Sequence, residues 1–376
     1  MDDARIVMTL DAGGTNFRFS ALRAGAPVIE TIARPAEAHD LDRCLAQIVA
    51  GFDDARRRCP EPPVAISFAF PGPADYGRGI IVEPPNMPAF RSAVALGAML
   101  EDRFGVPVFI NNDGHLFAYG EAIGGFLPYV NGLLERANHP KRFRSLLGVT
   151  IGTGFGGGFV CEGEIHVGDH GVAGEVWRLR NSRHPEMSAE EGASARAVRR
   201  EYALEAGLRL EQSPDPAAVF EVAMGLREGD RAAALVSFRR LGEVVGDAVA
   251  QACALVDGLV VIGGGVSAAW PLFLPSLVAQ MNGTTVGPGG DRFRRLAAVA
   301  FNLEDPEQVR AFVEDRSCEI DVPGSARRVI YEPFPRTGVG MSRLGTSEAI
   351  ALGAYAFAIR RLRLNPEDSC GKERLR

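Results

Sequence analysis

Cysteines are few and unpaired. Cys44, Cys59, Cys161, Cys253, Cys318 and Cys370 are scattered through 376 residues with no regular spacing. That excludes a disulfide framework and predicts free thiols in a reducing compartment. No apolar run reaches the roughly 20 residues that span a bilayer, so a helical membrane protein is excluded. Positive charge is also short. A net charge of −6 argues against a nucleic-acid-binding surface, which needs clustered Lys and Arg. The short run Arg56-Arg57-Arg58 lies on a helix-like segment and reads as a solvated face. The start, Met1-Asp2-Asp3-Ala4-Arg5, is charged and leads straight into a strand, unlike a signal peptide. These absences predict a soluble cytoplasmic protein without nucleic-acid or membrane partners.

What is present is ordinary core material, 46% hydrophobic and 23% charged. The length allows two or three domains. Strands are predicted over 5–10 and 17–23, with a third near 28–32. Helical spacing runs over 41–58 through Leu45, Ile48, Val49 and Phe52. A buried strand over 64–70 ends at Pro71-Gly72-Pro73, and a helix over 93–104 precedes a strand over 106–110. A hairpin followed by strand–helix alternation predicts a mixed sheet with helices on its faces. The pattern restarts with strands over 146–151 and 157–162, so an internal duplication is expected. Helices over 190–202 and 232–256, a strand over 259–262 and a helix over 268–281 follow. Residues 282–340, rich in Gly, Pro and charge, read as an elaborated surface segment. A helix is predicted over 347–362 and a disordered tail from Asn365.

Three glycine turns follow strands. Asp11-Ala12-Gly13-Gly14-Thr15-Asn16 reads as a hairpin turn whose backbone N–H groups can meet an anion, with a carboxylate at its mouth able to hold hydrated Mg²⁺. Gly152-Thr153-Gly154 and Gly263-Gly264-Gly265 give two more such turns, and a nucleoside triphosphate needs several. Two of them match the dinucleotide fingerprint formally. The first match runs into a strand instead of a helix, and the second lacks the acidic residue about 20 positions on, so a nicotinamide enzyme is disfavoured.

Ile110-Asn111-Asn112-Asp113 ends a buried strand and opens a helix, where open α/β sheets place ligands. Asp113 there could serve as a general base toward a substrate hydroxyl. Equally, Asn112 or Asp113 could be the helix N-cap. Glu175, in Gly174-Glu175-Val176-Trp177-Arg178, and Glu190, in Ser188-Ala189-Glu190-Glu191-Gly192, stand in glycine-flanked segments. Pocket carboxylates there could accept sugar hydroxyls, although surface glutamates would look the same one at a time.

Together these runs resemble the ROK family of bacterial sugar kinases and repressors, within the actin–hexokinase superfamily. The resemblance extends from Ile6 to about Leu362. It implies a two-domain, ribonuclease H-like α/β fold with duplicated mixed sheets and an interdomain cleft. Residues 1–113 plus 346–364 would form the small domain, closed by the helix bearing Gly353, and 114–345 the large one. It further implies an ATP-dependent hexose kinase acting on a hydroxyl such as O6, with Asp113 as base. Gly72, Asn86, Asn112, Glu175, Arg178 and Glu190 would contact the sugar. Asp11, Gly13, Gly14, Thr15, Asn16, Gly152, Thr153, Gly154, Gly263, Gly264 and Gly265 would hold ATP, with Mg²⁺ reached from Asp11 through water. A homodimer is implied as well. One departure stands out: Arg178 occupies the place of a family histidine, and no cysteine lies between Cys161 and Cys253, so no structural zinc is expected. Trp177 and Arg178 could then pack the loop or reshape the sugar pocket, leaving glucose, N-acetylhexosamine, mannose and fructose open. A catalytically silent sugar binder and a sugar-responsive regulator are the alternatives. The regulator would carry an N-terminal helix-turn-helix, for which the early first strand leaves no room.

Overall fold

The computed structural model describes residues 3–364 except Gly14, Pro85 and Asn86. The expected site residues Gly14 and Asn86, and the tail from Asn365, lie outside the described residues. The chain divides into two compact units. The first comprises Met1–Gly125, Glu164–Gly174 and Leu344–Arg376, and the second Phe126–Gly163 and Glu175–Arg343. No helix among the described residues is long and apolar enough to cross a membrane.

The first unit is built on a mixed sheet. Its strands are β1 (Ile6–Ala12), β2 (Asn16–Arg23), β3 (Ala26–Pro27), β4 (Ile32–Pro35), β5 (Ala65–Ala69) and, past the short hairpin β6 (Ala74–Asp75) and β7 (Ile80–Ile81), β8 (Val108–Asn111). The order is β3-β2-β1-β5-β8, with β4 also pairing β2. β1 and β2 form the antiparallel hairpin, whereas β1, β5 and β8 run parallel. The continuous apolar run of β1 is explained by burial on both faces. Ile6, Met8 and Leu10 join one core cluster with Phe17, Phe19, Ile48 and Phe52. Val7 joins another with Tyr355, Ala358 and Ile359.

Helix α1 (Leu41–Arg58) supplies Ile48 and Phe52 to the first cluster and is capped by Asp40, whose carboxylate accepts from Arg43 N–H. Helix α2 (Leu96–Phe104) precedes β8. The opposite cluster is covered by α10 (Thr346–Leu364), which packs along α3 (Asp113–Ile123). That approach is close enough to require glycine on both sides. A Cβ on Gly353 would lie 2.0 Å from Leu116 O, and one on Gly120 would lie 1.9 Å from Ala349 O. The packing explains why α3 stays with the first unit, although the small domain was expected to stop at residue 113. The segment 164–174 also groups with this unit, opening with β11 (Glu164–His166).

The second unit repeats the plan. After α4 (Phe126–Arg136) come β9 (Leu146–Ile151) and β10 (Phe155–Cys161), an antiparallel hairpin. Then follow α5 (Ala195–Glu205), α6 (Pro216–Met224), α7 (Arg231–Val256), β12 (Leu259–Gly263), α8 (Trp270–Met281), the hairpin β13 (Thr284–Val286) and β14 (Arg292–Arg294), β15 (Val299–Asn302), α9 (Pro306–Val313), the hairpin β16 (Cys318–Asp321) and β17 (Arg328–Tyr331), and β18 (Arg336–Met341). The sheet runs β10-β9-β12-β18-β15, parallel from β9 onward. A hairpin followed by parallel strands appears in both units, as the expected duplication requires.

Three expectations need adjustment. The segment 282–340 is not surface throughout, because β18 is buried along its whole length and pairs with both β12 and β15. Its arginine and two glycines hid it; a side chain at Gly338 or Gly340 would strike Leu303 or Phe126. The single strand expected near 28–32 is two short strands, β3 and β4. The helix expected from 190 begins at Ala195, because Ser194 caps it by accepting from Ala197 N–H, and Glu190 sits in a preceding 3₁₀ turn.

Candidate active site

In the first unit, β1, β5 and β8 end level with one another. Asp11 is in register with Ala69, and Ala69 with Asn111. Two strand spacings place the Asp11 and Asn111 backbones about 10 Å apart. The hairpin turn, the 70–73 loop and the Asn112-Asp113 corner therefore share one end of a sheet, the carboxyl end of its parallel strands. Asp11 lies opposite Arg18 and reaches solvent. Burial nonetheless raises its carboxyl above the ordinary carboxylate value, with Arg18 opposing. Thr15 and Asn16 are exposed beside it, and Thr15 O accepts from Ala36 N–H at 3.0 Å. At the 70–73 loop, the Tyr76 hydroxyl donates to Phe70 O at 3.1 Å and lies over Gly72, where a Cβ would come within 2.9 Å of it.

The helix-cap question resolves in favour of Asn112. Its Oδ1 accepts from Gly114 N–H at 2.8 Å and His115 N–H at 3.3 Å. Asp113 is the first helical residue; its Oδ1 also accepts from Gly114 N–H at 2.8 Å, and its side chain is exposed. A carboxylate that is not needed as the cap, and that faces solvent, is available to a ligand.

His115 was missed by sequence reasoning. It is buried, with Nδ1 3.2 Å from Asn111 Oδ1 and Nε2 in hydrogen-bond contact with Ala173 O. The ring thus ties the 164–174 segment to the end of β8, two residues before Glu175. The run Asn111-Asn112-Asp113-Gly114-His115 offered the only signal, a histidine one turn past a strand end. A separate cavity of about 670 Å³ lies along the outer edge of β8, bordered by Tyr76, Arg78, His170 and Arg361; it takes in none of the expected site residues.

In the second unit, the other two glycine turns abut. Thr150 is in register with Gly263, and an added Cβ on Gly152 would sit 3.9 Å from Gly265 N. Gly264 adopts φ +92°, and a side chain there would meet Ile151 O at 2.4 Å. Gly152 O accepts from Ala195 N–H at 2.8 Å, fixing the turn to the start of α5. Among the described residues, no acceptor meets the backbone N–H of Thr153, Gly154 or Gly265. That arrangement suits an anion.

Glu190 braces the same corner. Its Oε2 accepts from Phe155 N–H at 3.0 Å and fills the space over Gly154, while Oε1 pairs with Arg196 at 3.1 Å. Glu175 precedes the 3₁₀ turn Val176–Arg178, which lies beside the Ala189–Glu191 turn; Ala189 N–H donates to Leu179 O at 2.6 Å. Glu175 Oε2 accepts from Trp177 Nε1–H at 2.9 Å and Arg178 Nε–H at 2.7 Å. Arg178 therefore pairs with Glu175 through Nε, and its exposed guanidinium keeps further N–H donors.

One group of metal-ligand types occurs among the described residues, His139, Asp315 and Glu332. His139 Nδ1 accepts from Lys141 N–H at 3.1 Å, which leaves the ring proton on Nε2, and Arg336 donates to both oxygens of Glu332. With the lone pair on Nδ1 used and Glu332 already paired with Arg336, the group is a poor metal site.

The ROK family model matches residues 7–292. A solved structure described as glucokinase from Parabacteroides distasonis is 49% identical, covering 96% of this chain and 99% of that one, with TM-score 0.86. A glucokinase from Thermotoga maritima is 28% identical over 283 residues, 69% of this chain and 82% of that protein. An N-acetyl-D-glucosamine kinase from Vibrio cholerae is 31% identical over 170 residues, and the match spans about half of that protein's length, 51%.

Proposed function

The chain belongs to the ROK family, a sugar phosphotransferase by its likeness to the glucokinases, and we propose that it transfers the γ-phosphate of ATP to the O6 hydroxyl of a hexose. Glucose is the first candidate and an N-acetylhexosamine the second, after the relatives' names. Asp113 takes the proton from the attacking hydroxyl, and Asn112, Gly72, Asn86, Glu175 and Glu190 orient the sugar. Backbone donors of the glycine turns stabilise charge spreading over the phosphates.

Asp11 suits a hydrated Mg²⁺, being an oxygen donor that reaches solvent at a strand end. Held there, Mg²⁺ would supply charge neutralisation at the phosphates of ATP. Zinc has no part in this reading. Arg178 stands at the position of the family's histidine, and a guanidinium paired with Glu175 offers no lone pair to a metal. The protein would act as a homodimer, as the family resemblance implies, in the reducing cytoplasm that its scattered cysteines suggest.

The observation that carries the reading is the level ending of β1, β5 and β8, which sets Asp11 and the exposed Asp113 on one sheet end. ADP release coupled to a panel of hexoses and N-acetylhexosamines tests it. Turnover dependent on one sugar and on Mg²⁺ is expected. Sugar-independent ATP hydrolysis, or none with any sugar, would refute it.

A further inference from the structure

The turn after Glu175 carries an arrangement that the phosphotransfer chemistry alone does not require. Two donors from neighbouring residues converge on one carboxylate oxygen, Glu175 Oε2: the indole N–H of Trp177 at 2.9 Å and the guanidinium Nε–H of Arg178 at 2.7 Å. The donors also fix each other, because the Arg178 guanidinium stacks on the Trp177 ring, 4.3 Å from its centroid. The indole packs against the core of the second unit, and Val176 between them is buried. Two turn bonds hold the backbone, Arg178 N–H to Glu175 O and Leu179 N–H to Val176 O, both 3.1 Å.

An i,i+3 ion pair with an arginine 67% exposed would ordinarily hold little. Here the pair is one side of a three-member set, and the indole is anchored independently of the charge. Oε1 has no protein donor among the described residues. A carboxylate oxygen offers two acceptor sites, so the free oxygen retains its full capacity toward a ligand.

We propose that Trp177 and Arg178 are positioning residues that pin Glu175 through Oε2 and so present Oε1 as the acceptor for one hydroxyl, or a vicinal pair, of the sugar. This rests on the sugar-kinase reading of Glu175 and deepens it. Positional freedom of a hydrogen-bonding group costs substrate discrimination, and a group held by its own neighbours is aimed before the sugar arrives.

A double-mutant cycle tests the claim that both act through Glu175. In the full-length protein, Trp177→Phe and Arg178→Ala should each raise the sugar KM roughly 10-fold, with the ATP KM within twofold. In a Glu175→Ala background the same changes should move the sugar KM by less than twofold. Equal effects with and without Glu175, or equal shifts of both substrates' KM, would overturn the proposal. A second readout needs no turnover. The chain has two tryptophans, so Trp270→Phe leaves Trp177 as the sole indole. Its emission should shift on Arg178→Ala and on Glu175→Ala; no shift in either would overturn the clamp. A protein that phosphorylates no sugar yet shows both shifts would place the failure in the functional reading and leave the clamp standing.

Discussion

The contact between α3 and α10 makes a sharp prediction about Gly353. In an ordinary helix interior, Gly→Ala is stabilising by up to about 1 kcal/mol, since alanine has the better propensity and a smaller unfolded-state entropy. At Gly353 the new methyl would sit 2.0 Å from Leu116 O and 2.8 Å from its carbonyl carbon. Contacts under 3.0 Å are essentially never made by real Cβ atoms, and the obstacle is backbone, which has no rotamer to change. The helices must part by about 1 Å, loosening packing along their shared length. Overpacking costs roughly 1–3 kcal/mol, occasionally more. With backbone as the obstacle the upper part of that range applies, roughly 2–3 kcal/mol, and about 1–2 kcal/mol remains after a propensity gain of about 1 kcal/mol is subtracted.

Gly132 in α4 provides the comparison, because a Cβ there would meet only the flexible tip of Arg136 at 3.3 Å. Gly132→Ala should be neutral or stabilising by about 0.5–1 kcal/mol. Urea unfolding of both variants against wild type reads the opposite signs. Gly353→Ala matching or exceeding wild-type stability would refute the close-packing argument. Because α3 starts at Asp113, the account also expects Gly353→Ala to lower turnover.

Three further outcomes follow from local chemistry. Glu190→Ala removes the brace at Phe155 N–H and should raise the ATP KM about 10-fold, the cost of one charge-assisted hydrogen bond; a shift confined to the sugar KM would assign Glu190 to the sugar alone. Burial pushes the Cys253 thiol up to about 12 and Cys44 up to about 11, so at pH 8 their thiolate fractions fall to about 10⁻⁴ and 10⁻³. Mass spectrometry after brief alkylation should find exposed Cys318 modified and those two intact; early labelling of Cys253 would contradict the burial. Asp3 is bonded by Arg5 and Arg363, chiefly Arg5, which holds its carboxyl well below the ordinary range. A depressed folded-state pKa stabilises above the unfolded value near 3.9 and loses that contribution as pH falls below it. Asp3→Asn should therefore cost about 1 kcal/mol at pH 7, Arg363 being well exposed, and progressively less below pH 4; a cost that does not shrink would exclude the charge as its source.

Much of the fold was legible because burial wrote itself into periodicity. Phe17, Phe19 and Ala21 alternate with polar residues on β2, and Ile48 and Phe52 recur at helical spacing on α1. β18 was not legible, since close packing there demanded glycine and a buried arginine, neither of which reads as a core strand. The site divides in the same way. Glycine turns and the Asn112-Asp113 corner are local, so the sequence displays them. Which of the two residues caps α3 depends on side-chain rotation and needed coordinates. The grip of Trp177 and Arg178 on one oxygen of Glu175, the brace of Glu190 on β10 and the tie of His115 to Ala173 depend on geometry that residue order does not carry.

The central claim is that Asp113 is the base. Asp113→Asn tests it most directly, because Asn112 already caps α3 and an amide oxygen can still accept from Gly114 N–H. With wild-type stability and both KM values within a few-fold, kcat for sugar phosphorylation should fall at least about 100-fold, the low end for a general base. A kcat within threefold of wild type would contradict the account.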